Sequence, residues 1–170
     1  MIARNYIFFL LNLCLLSGCG CKVKYDLKGI NIPSDVENIS IKYFTNEASY
    51  VNPTLSQRLT EQLKDKFLKE TRLAVVASEG DYKLSGSIID YKTEPVATNS
   101  TAGATKNRFS MTVKVVFECP KHKDMNFTEN VYKFQEFDAS QNFQTLEASL
   151  SDEVSKQIIQ EIFNKIALKW

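Results

Sequence analysis

Between Arg108 and Glu118 apolar residues fall on every second position. Phe109, Met111, Val113, Val115 and Phe117 alternate with Ser110, Thr112, Lys114, Val116 and Glu118. A period of two predicts a strand with one buried face. Two other stretches repeat every fourth residue instead. Leu55, Leu59, Leu63 and Phe67, with Leu68 beside them, form one apolar stripe, while Glu61, Lys64, Asp65, Lys66 and Lys69 face water. This predicts an amphipathic helix. Asn52 can cap it, and Pro53 suits its first position because a proline lacks the N–H that would go unpaired there. The helix should end near Thr71. Leu146, Leu150, Val154, Ile158, Ile162 and Ile166, joined by Ile159 and Phe163, predict a second helix from about Thr145 to Ala167.

The remaining pattern is weaker. Asn38 to Phe44 alternates, with Ile39, Ile41 and Tyr43 assigned to the buried side. Thr45 to Val51 reads as a polar connection. Leu73 to Ala77 is a short extended run, and Ser78 to Asp81 turns the chain. Tyr82 to Glu94 reads as a strand with Leu84, Gly86 and Ile88 inward, stopped by Pro95. A glycine in mid-strand suggests a bulge or close packing against a helix. Val96 to Asn107 is small and polar, and longer than two paired strands need; it is expected to meet a partner and not to hold the fold. Phe127 to Phe137 is a further antiparallel strand. Its apolar residues occupy both phases, and Tyr132 and Phe134 are assigned inward. The economical packing is an α+β, two-layer α/β sandwich: two helices on one face of a mixed four-stranded sheet. The expected order is strand, helix, three-strand meander, helix.

The N-terminus follows different rules. Arg4 precedes an apolar run from Tyr6 to Leu16, broken only by Asn12 and too short to span a bilayer as a helix. A positive start, a short apolar core and small residues before a cleavage point define a secretory signal. Leu16-Ser17-Gly18-Cys19 resembles the lipobox of bacterial lipoproteins. That resemblance implies cleavage before Cys19, acylation of its thiol and of the new amine, and attachment to a membrane surface. Several acyl chains together anchor firmly, whereas one binds marginally. The chain then divides into a signal peptide, 1–18, a lipidated tether, 19–31, and a folded domain, 32–170.

Composition excludes more than it selects. The formal charge is +1, and losing Arg4 with the signal makes it zero, so there is no global pull towards nucleic acid. Cys21 and Cys119 remain after Cys14 leaves and Cys19 is acylated; sequence leaves open whether they pair. His122, the one histidine, sits in a lysine-flanked turn. There is no metal-ligand spacing, glycine-rich phosphate loop or nucleophile elbow. No catalytic residue, metal or cofactor is assigned, and a binding or assembly role is expected.

Several stretches resemble the lipopolysaccharide-assembly lipoprotein family, LptE. They are Leu27 to Pro33, Tyr43 to Ala48, Pro53 to Gln57 with Thr60 to Asp65, Gly80 to Gly86, and Asn107 to Met111. The resemblance implies a two-layer sandwich. It implies a lipoprotein that sits inside the LptD outer-membrane β-barrel as plug and assembly partner, helping to place lipopolysaccharide in the outer leaflet. Gly20 after the anchor is not the aspartate of inner-membrane retention, which favours a lipid-anchored, periplasm-facing place at the outer membrane. A lipoprotein that activates a cell-wall enzyme or serves another envelope complex is the alternative. Independently of the family, the predicted registers place Lys42, Lys83, Lys114 and Lys133 on the sheet face away from the helices. With Lys106 and Arg108 at the base of the long loop, these are the candidate contacts to lipopolysaccharide phosphates or an acidic barrel wall.

Overall fold

A computed structural model describes residues 29–50, 52–96 and 106–168. Its elements are β1 (Asn38–Ile41), β2 (Thr45–Asn46), α1 (Leu55–Glu70), β3 (Ala74–Val76), β4 (Tyr82–Val96), β5 (Lys106–Glu118), β6 (Phe127–Asp138) and α2 (Phe143–Ala167), with a 3₁₀ turn at Lys123–Met125. Both helices cover one face of the sheet. The architecture is the expected α+β sandwich, but the sheet has six strands, not four, because the short β2 and β3 also pair.

The strand order is β3-β1-β4-β5-β6, with β2 also on β4. β1 is parallel to β3 and β4, and β2 is parallel to β4. β4, β5 and β6 form the antiparallel meander. Met111, Val113 and Val115 of β5 are completely buried under the helices, with Leu84 and Ile88 beside them on β4. The two helical stripes close this core through Leu59, Leu63, Phe67, Val154, Ile158 and Ile162, each 0 % exposed.

The helix ends have local causes. α1 begins at Leu55, later than Asn52-Pro53, because the Asn52 carboxamide oxygen is used one step earlier: it accepts from the Thr54 N–H at 3.2 Å and its hydroxyl at 3.1 Å. Thr71 ends the helix by donating its hydroxyl to the Phe67 carbonyl at 2.7 Å. α2 starts at Phe143, with the Asn142 side chain accepting from the Gln144 N–H at 2.8 Å.

Several sequence expectations are overturned. The alternation from Ile39 does not run to Phe44. From Ile41 to Thr45 the chain advances one residue more than β4 does from Leu84 to Ser87. One inserted residue reverses the phase. Tyr43 is therefore exposed, and Phe44 is buried. Gly86 does not mark the bulge, which lies between Ile88 and Asp90, and it does not meet a helix. A Cβ there would run into the Lys114 carbonyl and the Phe44 ring, so glycine is needed for close approach. Pro95 does not end β4; it pairs with Asn107. Leu68 lies outside the apolar stripe, on the water side of α1.

β6 shows the largest difference. Val113 pairs with Val131 and Met111 with Lys133, so the odd-numbered residues of β6 face the helices. Val131 and Phe137 are buried, while Tyr132 and Phe134 stand 44 % and 41 % exposed. They were expected inward and lie outward.

The two ends of the sandwich differ in what they carry. Ile39 pairs with Tyr82, Lys83 with Glu118, and Phe117 with Phe127, so one end gathers the starts of β1, β4 and β6 and the end of β5. The N-terminal segment joins there: the Asn31 N–H donates to the Ala167 carbonyl at 2.7 Å. Arg72 clasps the same segment, donating to the carbonyls of Val36 at 2.7 Å and Pro33 at 2.6 Å. Lys121 adds a bond to the Asp35 carbonyl at 2.6 Å and an ion pair to Asp81 at 2.7 Å. At the opposite end β4 stops at Val96 and β5 resumes at Lys106. Cys19, Cys21, the signal peptide and most of the tether lie outside the described residues, as do residues 97–105 of the long loop. Cys119 is buried and forms no disulfide among the described residues.

Candidate functional site: the uncovered face of the sheet

The helices shield only one side of the meander. On the other side β4 presents Lys83, Ser85, Ser87, Asp90, Lys92 and Glu94. β5 presents Arg108, Ser110, Thr112, Lys114 and Val116, and β6 presents Asn130, Tyr132, Phe134 and Glu136. Small hydroxyl residues run through the middle, with charges and aromatic rings around them.

Five of the six candidate cations reach this side. Lys83 and Lys114 are on it by register, and Lys42 follows the inward-facing Ile41. Lys106 and Arg108 belong to the loop end. Lys133 does not share the face. Opposite Met111, it points to the helix layer and pairs with Glu161 of α2 at 3.3 Å. Its charge on an apolar-facing position is tolerated because β6 is outermost and α2 supplies the carboxylate.

The charges are largely balanced. Lys83 pairs with Glu79 at 2.9 Å, and Lys92 with Asp90 at 3.3 Å. Arg108 donates to Glu136 at 2.7 Å, and Lys106 lies 3.7 Å from the same carboxylate. The Arg108 guanidinium also sits 4.2 Å from the centre of the Phe134 ring, whose centroid is 5.9 Å from that of Tyr132. The bond from Arg108 holds the Glu136 carboxyl below its ordinary range, and burial opposes it. Among the described residues Lys42 and Lys114 form no salt bridge, so they are the cations this face leaves available. Ser110, between Lys92 and Phe134 in the ladder, is 0 % exposed, and its hydroxyl has no hydrogen-bond partner among the described residues. The surface is thus mixed and neutralised, suited to a polar protein wall more than to a dense array of phosphates.

Sequence reasoning missed Lys92, Tyr132, Phe134 and Glu136. The usable signal was the Tyr-x-Phe-x-Glu spacing, which puts all three β6 residues on one face once Val131 is assigned inward. A concavity of about 420 Å³ lies between the helices beside Gln62, Lys66, Lys69, Lys156 and Ile159. Its lysines are already paired with Glu70, Asp65 and Asp152, at 2.7, 2.9 and 2.8 Å. Among the described residues no three His, Cys, Asp or Glu side chains gather as a metal site, and no helix is long and apolar enough to cross a membrane.

Two helices over one face of a mixed sheet, with the other face uncovered among the described residues, define a small α+β sandwich of a kind found in bacterial lipoproteins. A minor lipoprotein from Acinetobacter baumannii shares it at a TM-score of 0.51 and 14 % identity, covering 77 % of this chain and 92 % of that one. A hypothetical protein from Chlamydia trachomatis matches at 0.51 and 6 % identity, over 77 % and 98 %. A protein from Xanthomonas campestris matches at 0.50 and 10 %, over 78 % and 87 %. At these identities the likeness is one of fold. No curated protein matches the sequence significantly. The LptE lipopolysaccharide-assembly family does match, over residues 36–166. The chain belongs to the LptE family, and is by that membership a lipopolysaccharide-assembly lipoprotein of the bacterial envelope.

Proposed function

We propose that this protein is anchored to the outer membrane through acylated Cys19, plugs and partners an LptD-like β-barrel, and assists lipopolysaccharide transport to the outer leaflet. The observation that carries this reading is the family match across 36–166, nearly the whole folded domain. The geometry is compatible with it. A lumenal partner needs a surface that meets a polar wall without demanding a second apolar layer, and the uncovered face offers serines, threonines and balanced charges. Lys42, Lys83 and Lys114 are the proposed contacts nearer the tether end; Lys106 and Arg108 are those nearer the loop. Lys133 is omitted because Glu161 holds it on the other side. Residues 97–105 join strands that end opposite the tether, so partner contact there and membrane attachment need not compete.

The test is what co-purifies with the protein from solubilised envelopes. A large β-barrel is the expected partner. Replacing Thr98–Thr105 with an Asn-Gly turn should leave the melting temperature nearly unchanged and weaken capture of the barrel. Undiminished capture would remove the loop from the interface, and a cell-wall synthase in place of the barrel would overturn the reading. Intact mass should show acyl chains on the wild-type N-terminus and none on Cys19→Ser.

A further inference from the structure

At the loop end of the uncovered face one cation is only partly bonded. Arg108 stands between Glu94 of β4 and Glu136 of β6 in the ladder. A guanidinium offers five N–H donors in a fixed fork, and a carboxylate fits that fork best through two parallel bonds. Glu136 takes one prong: Arg108 Nη2 donates to Glu136 Oε1 at 2.7 Å. The Arg108 Nε–H is buried and has no partner among the described residues, and the buried hydroxyl of Ser110, two positions along the same face, has none either. Buried polar groups are normally bonded, so this arrangement is not the best open to them. The surroundings suit a protein contact. The guanidinium sits 4.2 Å from the centre of the Phe134 ring, with Tyr132 beside it, and both rings are exposed. Aromatic residues and arginine are the types enriched where protein interfaces bind most strongly.

Charge narrows what can take the rest of the fork. Lys92 is shared by Asp90 at 3.3 Å and Glu94 at 3.9 Å, and Asp138 stands opposite Lys106, turned to the Ser140 hydroxyl by a 2.6 Å bond. A phosphate would bring roughly two charges among these carboxylates; a carboxylate brings one. Glu136 can release Arg108 without losing its own partner, because Lys106 already lies 3.7 Å from its second oxygen. The Phe134 ring stays under the guanidinium, so the arginine changes its carboxylate without leaving the face. We infer that Glu136 is an internal stand-in: it holds Arg108 until a carboxylate of a partner protein takes the guanidinium by both prongs, and Glu136 passes to Lys106. The wall this chain meets must then present, at the loop end, an acidic side chain flanked by apolar surface for Tyr132 and Phe134. The barrel reading supplies the identity of that protein; the exchange itself does not depend on it.

Arginine side-chain NMR tests the exchange directly. The sequence holds only four arginines, Arg4, Arg58, Arg72 and Arg108, so the Nε–H signals are few, and Arg108→Lys identifies the one concerned. Full-length, isotope-labelled protein in mild detergent is titrated with acetate in place of chloride at constant ionic strength. In Glu136→Gln the Arg108 Nε–H signal should shift with half-saturation at a severalfold lower acetate concentration than in wild type, while the Arg58 and Arg72 signals stay put. Glu94→Gln removes the same charge from the other side of Arg108 without freeing it, and should gain much less. Equal half-saturation in wild type and Glu136→Gln overturns the proposal. So does an equal gain in Glu94→Gln, which would make the effect one of net charge. Inorganic phosphate acting at a lower concentration than acetate would make the corner a phosphate site and equally overturn it. Co-purification from envelopes separates this from the barrel reading. Glu136→Gln should capture more barrel than wild type, and Arg108→Lys, which keeps the charge but not the fork, should cancel that gain. Equal capture by wild type and Glu136→Gln sinks the exchange alone. The expected acetate series with no barrel captured upholds the exchange and sinks the barrel reading alone.

Discussion

The two faces of β5 are built from the same thirteen residues and obey opposite rules. On the helix side Phe109, Met111, Val113, Val115 and Phe117 are at most 1 % exposed, and their cohesion comes from removing apolar surface from water. On the other side the described residues add no layer. Arg108 lies over Phe134 and bonds Glu136, and Ser110 between its neighbours is shielded all the same. A small residue within a sheet face can therefore be shielded among its ladder neighbours without a second layer of helices. The first arrangement concerns folding, and the second leaves a surface able to meet something else.

Substitutions should separate the two faces sharply. Met111→Ala, Leu63→Ala and Ile158→Ala each delete a fully buried side chain on the helix side and should cost about 2–5 kcal/mol in chemical denaturation. If they melt like wild type, the helices do not cover this face. Gly86→Ala comes next. Its methyl meets a backbone carbonyl and the Phe44 ring, and overpacking of this kind should cost about 1–3 kcal/mol. A neutral result would show that both the Lys114 carbonyl and the Phe44 ring can move aside.

Titration should distinguish the faces by sign. Burial pushes the Tyr82 hydroxyl, on the helix side, up to about 12. A raised acid is favoured in its protonated form by the fold, so this stability is complete below pH 10 and is lost between pH 10 and about 12. Glu136, on the uncovered face, is shifted down by the Arg108 bond. A lowered carboxyl contributes above its unfolded value of 4.5 and loses that contribution as pH falls through its folded value. Arg108→Ala should flatten this acid limb and leave the alkaline limb alone, which pH-dependent melting can read. The loss at neutral pH should be small and should shrink further in salt. Lys64→Ala, on the exposed side of α1, should change least, and Lys114→Ala should leave melting equally unmoved while weakening partner capture. If Lys114→Ala melts early instead, the uncovered face is part of the stability core.

Regular periodicity explains how much of this was readable in the sequence. Both helices and β5 were legible because their apolar residues keep one phase from end to end. Tyr43 and Phe44 were not, since the inserted residue that exchanges them is a property of pairing with β4. β2 and β3 were too short to show a period. Tyr132, Lys133 and Phe134 were misassigned because β6 is apolar on both phases, and the deciding partner, Val113, lies on another strand. The site suffered accordingly: three of the four cations assigned to the uncovered face lie there, Lys133 does not, and the carboxylates that neutralise most of the cations were invisible, since Glu136 meets Arg108 only through that register.

The parallel pairing of β1 has a consequence for the order of assembly. A chain made from its N-terminus exposes β1 first, and both its neighbours come later: β3 after α1, and β4 only from Tyr82 onward. The partners of β4, β5 and β6, by contrast, follow one another directly and close by local antiparallel pairing. Pairings distant in sequence require long loops to close and are slow. The meander with α2 is thus the segment held by the more local pairings, and β1, made first, completes its pairing only when β4 is made. Until β3 has emerged Ile39 has no strand to pair with, and Ile41 waits longer, for Leu84 of β4.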